Sequence, residues 1–200
     1  MKIITNIFRY SGILGISIYV MFTLISYCFY PLHFSPCGNW LSDLGNPLKN
    51  PVGAHFYNIG CIMISFLAMI FYIGMDQWNS LGRKRKLSFL IAQFAGVFSS
   101  WSLLITALFP LGSYTDIHDF WSTMLYIGLG FFELFLGLTI FTFPKAGKWL
   151  GYYGILAMSI NFITLVYSIF DFFIGEWIAV ALFFIYIIVI TWQYDRFYIR

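Results

Sequence analysis

Residues 112–122, GSYTDIHDFWS, place Asp116, His118 and Asp119 within four positions of a chain that has only eight acidic residues and three histidines. Imidazole changes charge near neutral pH and serves as a general base or acid, with carboxylates as partners. Three chemistries fit these residue types. One is acid–base or headgroup-binding work, with His118 at the centre and Asp116, Asp119, Asp43 and His55 around it. A second is a zinc site, in which His55, His118 and a carboxylate, Asp119 or alternatively Asp43 or Asp116, supply three ligands and leave one position open. The third is a solvated turn, because Asp116 and Asp119 also suit a helix N-terminus through its dipole.

The elements that must position these residues are hydrophobic. The chain is 60% hydrophobic, 22% aromatic and 10% charged, whereas soluble domains carry roughly 25% charged residues. No water-soluble fold of this size hides so much apolar surface, which makes this an integral membrane protein. A spanning helix needs about 20 apolar residues, and six runs of that kind cover 10–30, 53–75, 87–109, 120–143, 149–170 and 177–194. The alternation of a membrane β-barrel is absent. The expected fold is an all-α bundle of six transmembrane helices forming one integral membrane domain over residues 1–200. The first run is longer than a signal-peptide core and lacks a following cleavage site, so it reads as a retained anchor.

Lys and Arg set the orientation. With both termini cytoplasmic, ten of the eleven fall inside, among them the Arg83–Lys86 run, and only Lys49 falls outside. The formal charge of +3 then reflects topology in a multi-pass protein of the cell membrane. Its partners are membrane lipids with anionic headgroups rather than nucleic acid. Cys28, Cys37 and Cys61 are an odd number without metal-binding spacing, and are expected to be free, mostly buried thiols. A Cys37–Cys61 disulfide would require Cys61 near the outer surface.

This topology puts His33, His55 and His118 on the outer side, together with Asp43, Asp116, Asp119, Asp171 and Glu176. The longest connection, PLHFSPCGNWLSDLGNPLKNP, is broken by Pro31, Pro36, Pro47 and Pro51. It is expected to form an ordered lid, with Ser42 and Asp43 capping a short turn. Helical spacing gives each span a small or polar stripe. Span 4 carries Asp119, Ser122, Tyr126, Gly130, Glu133 and Gly137; span 5 carries Asn161, Thr164, Ser168 and Asp171. Gly, Ser and Thr on such stripes suit helix contacts. Glu133, 14 residues beyond Asp119 and so roughly 21 Å down the helix, suits a functional or conformational role, since ionisable groups at membrane depth mark sites. Ser42, Asn46, Asn58, Glu133, Asn161 and Asp171 are the candidate binding residues.

The segments NWLSDLGNP (39–47), HFYNIGCI (55–62) and ALFPLGSYTDIH (107–118) resemble domain-of-unknown-function family 998, multispan proteins of bacteria and archaea. The resemblance rests on Ser42, Gly45, Pro47, Asn58, Phe109, Pro110 and His118 and covers most of the chain. A more distant similarity is to the damage-regulated autophagy modulators of eukaryotes and to relatives implicated in remodelling lipid-anchored proteins. It implies a six-helix bundle and no particular activity. The paired histidines that ceramidase-like membrane hydrolases carry on a late helix are lacking here. The expected function is action on a lipid headgroup or lipid-linked substrate, of hydrolase or transferase type, at an outward-facing His/Asp pocket. The alternatives are binding or transport of a lipid or small amphiphile with Glu133 as an intramembrane switch, and a structural or regulatory subunit.

Overall fold

The computed structural model describes residues 2–75, 83–143, 147–167 and 170–193. Asp76, Lys145, Ser168, Asp195, Arg196 and Arg200 lie outside them. The elements are α1 (Lys2–Cys28), a 3-10 turn (Leu41–Gly45), α2 (Ala54–Gly74), α3 (Arg83–Leu108), α4 (Thr115–Ile140), α5 (Lys148–Tyr167) and α6 (Phe173–Trp192). Among the described residues there is no strand.

All six helices are long and apolar enough to cross a membrane. Such a span must satisfy its backbone internally, which only a helix or a closed barrel does. Apolar side chains cover the outside: Phe94 and Trp192 are 74% and 77% exposed, as lipid-facing residues would be. The helices run past the apolar stretches at their polar ends. Thus α4 begins at Thr115, taking in the Asp-Ile-His-Asp segment, and α6 begins at Phe173, taking in Glu176.

Each helix packs on the next in sequence, and α6 returns to α1, closing a ring. At its centre Phe132 of α4 meets Tyr72 of α2 at 4.7 Å between ring centroids, and Phe183 and Tyr186 of α6 at 6.4 and 6.3 Å. Between α4 and α5 glycines let the backbones touch. A Cβ on Gly137 would lie 2.8 Å from the Gly151 carbonyl oxygen, and one on Gly154 would lie 2.6 Å from that of Glu133. Small residues at helix contacts permit this approach.

Residues 29–53 fold over one end of the ring as a lid. Buried Asn50 ties it down: its Nδ2 donates to Ser26 O, Ser26 Oγ and Leu44 O, and its Oδ1 accepts from Gly53 N. Asn58 of α2 donates to Gly45 O at 2.9 Å, and Trp177 of α6 donates to Asn39 O at 3.1 Å. The short turn expected at Ser42 and Asp43 is present. Trp40 holds its N-cap position, however, and makes no side-chain cap bond.

Replacing Gly137 or Gly154 with Val drives a side chain into the facing backbone. Each change is expected to lower stability by about 1–3 kcal/mol, the usual range for overpacking, read as a lower unfolding midpoint of the detergent-solubilised protein. An unchanged midpoint would show that α4 and α5 do not make this contact.

Candidate functional site

His118 owes its place to a proline. In a helix the carbonyl of residue 106 accepts from the N–H of residue 110, and Pro110 has none. The last carbonyls of α3 are thereby left open. His118, in the first turns of α4 and buried, fills the gap: its Nδ1 lies 3.2 Å from Thr106 O and 3.1 Å from Phe109 O. Both oxygens can only accept, so Nδ1 carries the hydrogen, and in the neutral ring Nε2 holds the lone pair.

Glu176, in the first turn of α6, caps the lid. Leu41 N donates to its Oε2 at 2.6 Å, and the Ser42 backbone and the Tyr126 hydroxyl face the same carboxyl group. An acidic side chain on the leading N–H groups of a short helix is electrostatically favourable. Here it comes from another element, which explains why the turn needs no cap of its own.

Two cavities meet between these residues. The one beneath the lid encloses about 380 Å³ and is walled by Trp40, Asp119, Thr123, Thr164 and Asp171, among others. The deeper one, about 100 Å³, descends between α1, α2, α3, α4 and α6 to Tyr72 and Leu129. Tyr57 and Tyr72, at its two ends on α2, are roughly 22 Å apart along the helix axis. Ser42, His118, Ser122, Tyr126 and Glu176 line both. The deep walls are mostly carbon, and their hydroxyls are turned away. Ser99 and Ser100 donate to Gly96 O, Thr106 donates to Ser102 O, and Tyr19 and Tyr57 share a 3.0 Å hydrogen bond. Hydroxyls bonded back to their own helix leave little polarity for a cavity.

Residues 13–194 match the family described as "Protein of unknown function (DUF998)". The chain belongs to this family. No curated protein and no solved structure matches it. The Phe109, Pro110 and His118 positions that carry the family resemblance are, in this DUF998 member, one structural unit: a helix end without its last N–H, and the imidazole that replaces it.

Of the expected site residues, Ser42, Asn58, His118, Asp119 and Asp171 line one or both cavities; Asp43, His55 and Asp116 line neither. His55 and Asp116 are exposed. Asp43 is buried and held within the lid: its Oδ1 pairs with Lys49 Nζ at 2.9 Å. Burial, and then the Asp43 carboxylate, push the Tyr30 hydroxyl up, with Lys49 opposing. Among the described residues no group of three His, Cys, Asp or Glu side chains could hold a metal ion, so His55, His118 and Asp119 do not converge as a zinc set. Asn46 makes a turn, its Oδ1 accepting from Leu48 N at 2.9 Å. All three cysteines are free, and only Cys61 is buried, the other two being exposed.

Glu133 lines neither cavity. It is fully buried and accepts from Asn161 Nδ2 at 2.5 Å. Its partner is thus Asn161 of α5, whereas Tyr126, on the same stripe of α4, faces Glu176. The span 4 stripe therefore divides: its upper part, Ser122 and Tyr126, faces the cavities, and its lower part, Gly130, Glu133 and Gly137, faces α5. Glu176 is the site residue missed as a candidate. Its signal was present, an acid on the same side as the lid in a chain with few acids, but its partner, a backbone N–H of the lid, leaves no trace in sequence.

Removing the imidazole with His118→Ala leaves two carbonyls open and is expected to cost about 1–3 kcal/mol of stability. In a Pro110→Ala background the restored N–H serves Thr106 O, so the same change should cost less. A double-mutant cycle by thermal unfolding reads the difference, and strict additivity would refute the proline account. Separately, Asn161→Leu strands the buried Glu133 carboxyl and should destabilise by about 1–3 kcal/mol. Glu133→Gln keeps a carbonyl for Asn161 Nδ2 and should destabilise much less; equal losses in unfolding midpoint would contradict the pairing.

Proposed function

We propose that this membrane protein binds an amphiphile at the mouth of its bundle, with the polar head beneath the lid and the apolar tail in the deep cavity. The observation that carries this reading is the pair of unlike cavities joined at Ser42, His118, Ser122, Tyr126 and Glu176. Ligand sites are characteristically apolar with a few convergent polar groups, and lipid is the solvent this chain lives in. The positive-inside bias favours the lid end facing outward and both termini lying in the cytoplasm. On that orientation the mouth samples the outer leaflet of the cell membrane.

A second reading, acid–base action on the lipid headgroup, is favoured by one feature. The carbonyls on Nδ1 fix the His118 ring and leave Nε2 as the basic atom, in a wall shared with the Ser42 and Ser122 hydroxyls and the Glu176 carboxyl. A base oriented through its other nitrogen is a recurring arrangement in catalysis.

Binding of alkyl maltosides of increasing tail length to the purified protein tests the first reading. Each added methylene is expected to tighten binding about fourfold, ~0.8 kcal/mol, until the tail reaches the floor at Tyr72. Ala68→Phe, one turn above Tyr72, should bring the plateau to a shorter tail. Affinity independent of tail length, or a plateau indifferent to Ala68→Phe, would overturn it. For the second reading, reconstituted protein is incubated with mixed membrane lipids, and turnover that disappears in His118→Gln is expected; absence of turnover by the wild type removes the enzyme and leaves the binding protein.

A further inference from the structure

We infer that the head group taken beneath the lid is a cationic ammonium bearing N–H bonds, not a phosphate or sulfate. This rests on the amphiphile reading and adds the chemical class of the head. The acidic side chains on the upper cavity wall are those of Asp119, Asp171 and Glu176, and among the described residues no Lys or Arg lines it. Lys49, the lone basic residue of the lid, is committed to Asp43 at 2.9 Å. The N-termini of α4 and α6 point a partial positive charge toward this end, but each carries an acid in its first turn, Asp116 and Glu176, that offsets it. An anionic head would meet repulsion from the exposed Asp119 and Asp171 carboxylates, and a cation would meet attraction from both.

Two further features narrow the cation. Trp40 and Tyr126 stand in the same wall, and aromatic faces attract ammonium groups. Thr164 is 3% exposed, lines this cavity, and its Oγ1 has no hydrogen-bond partner. A buried hydroxyl without a partner is unfavourable and calls for one. It can accept from an ammonium N–H, which a quaternary ammonium lacks. The wall thus holds carboxylates for charge, aromatic rings for the cation's surface, and in Thr164 Oγ1 a buried acceptor without a partner of its own.

The test uses the full chain in nanodiscs of zwitterionic lipid, where no maltoside competes for the site, and four probes with the same dodecyl tail: alkylammonium, alkyltrimethylammonium, alkyl glucoside and alkyl sulfate. Alkylammonium should bind about tenfold tighter than the glucoside, as partly solvated charge contacts with a cation–π contact would give, and alkyl sulfate should bind weakest. The preference should shrink as salt rises. Asp119→Asn/Asp171→Asn should remove most of it, Asn being at home in the left-handed conformation of Asp171 (φ 54°), and Asp119→Lys should turn it toward the sulfate. Thr164→Val should narrow the advantage of alkylammonium over alkyltrimethylammonium and leave binding of the latter unchanged. If the four probes bind equally while the maltoside series still tightens with tail length, the head-group inference falls and the amphiphile site stands. Tighter binding of the sulfate, or a preference insensitive to salt, overturns the inference as well. If neither the four probes nor any member of the maltoside series binds, the amphiphile site itself falls.

Discussion

Inside a bilayer no water is at hand to complete a hydrogen bond, and that constraint organises this molecule more than any one contact does. Where the chain leaves a backbone group open, a side chain from elsewhere is brought in to close it. Pro110 removes an N–H from the end of α3, and His118 of α4 supplies one. The short turn at Leu41–Gly45 lacks its own cap, and Glu176 of α6 accepts its leading N–H. The end of α1 is closed by Asn50, which at once holds the lid and the start of α2. Each repair joins two elements, so the polar groups do here what a hydrophobic core does in water. They fix which helix lies against which, and at what depth, in a medium where apolar burial discriminates weakly.

The same constraint decides what was legible in the sequence. Six helices follow from six apolar runs, because a segment of that length in lipid has no other way to satisfy its backbone. Helix ends were less legible: residues 115–119 and 173–176 lie outside the apolar runs, yet they continue the helices because the α3 end and the lid give His118 and Glu176 partners. Among site residues, Ser42 and Asp43 show where reading by proximity fails. They are adjacent in the chain, but on a tight turn one faces the cavities and the other faces Lys49. His55 and Asn58 part company in a like way: Asn58 reaches Gly45 and the deep cavity, and His55 is exposed. Spacing along one helix reports a face. It does not report which neighbour that face meets, and the division of the α4 stripe between the cavities and α5 is the result.

Two polar centres therefore share α4 without sharing a role. The upper one, around His118, Tyr126 and Glu176, opens into space. The lower one, Glu133 with Asn161, is closed against α5 at the seam where Gly137, Gly151 and Gly154 bring the backbones together. A ligand-linked switch at Glu133 would need a route from the cavities to its carboxyl, and the carboxyl borders neither of them. The simpler role is pairing: one strong hydrogen bond that sets the register of α5 on α4, at a depth where sliding by a turn would leave both groups stranded.

What separates the two centres is aromatic. Tyr72 forms the floor of the deep cavity, and Phe132, packed edge-on to it, backs onto Tyr186 on the side of Glu133. Glycines make room for both tyrosines: a Cβ on Gly96 would fall 2.6 Å from the Tyr72 ring, and one on Gly154 the same distance from the Tyr186 hydroxyl. Rings wedged between helices in this way have few alternative rotamers open to them, since close-packed interiors resist the shift of even one methylene. A floor of that stiffness sets a length. Any tail entering from the mouth ends at Tyr72, and the depth of the apolar well is then written by where α2 and α3 place one tyrosine and one glycine.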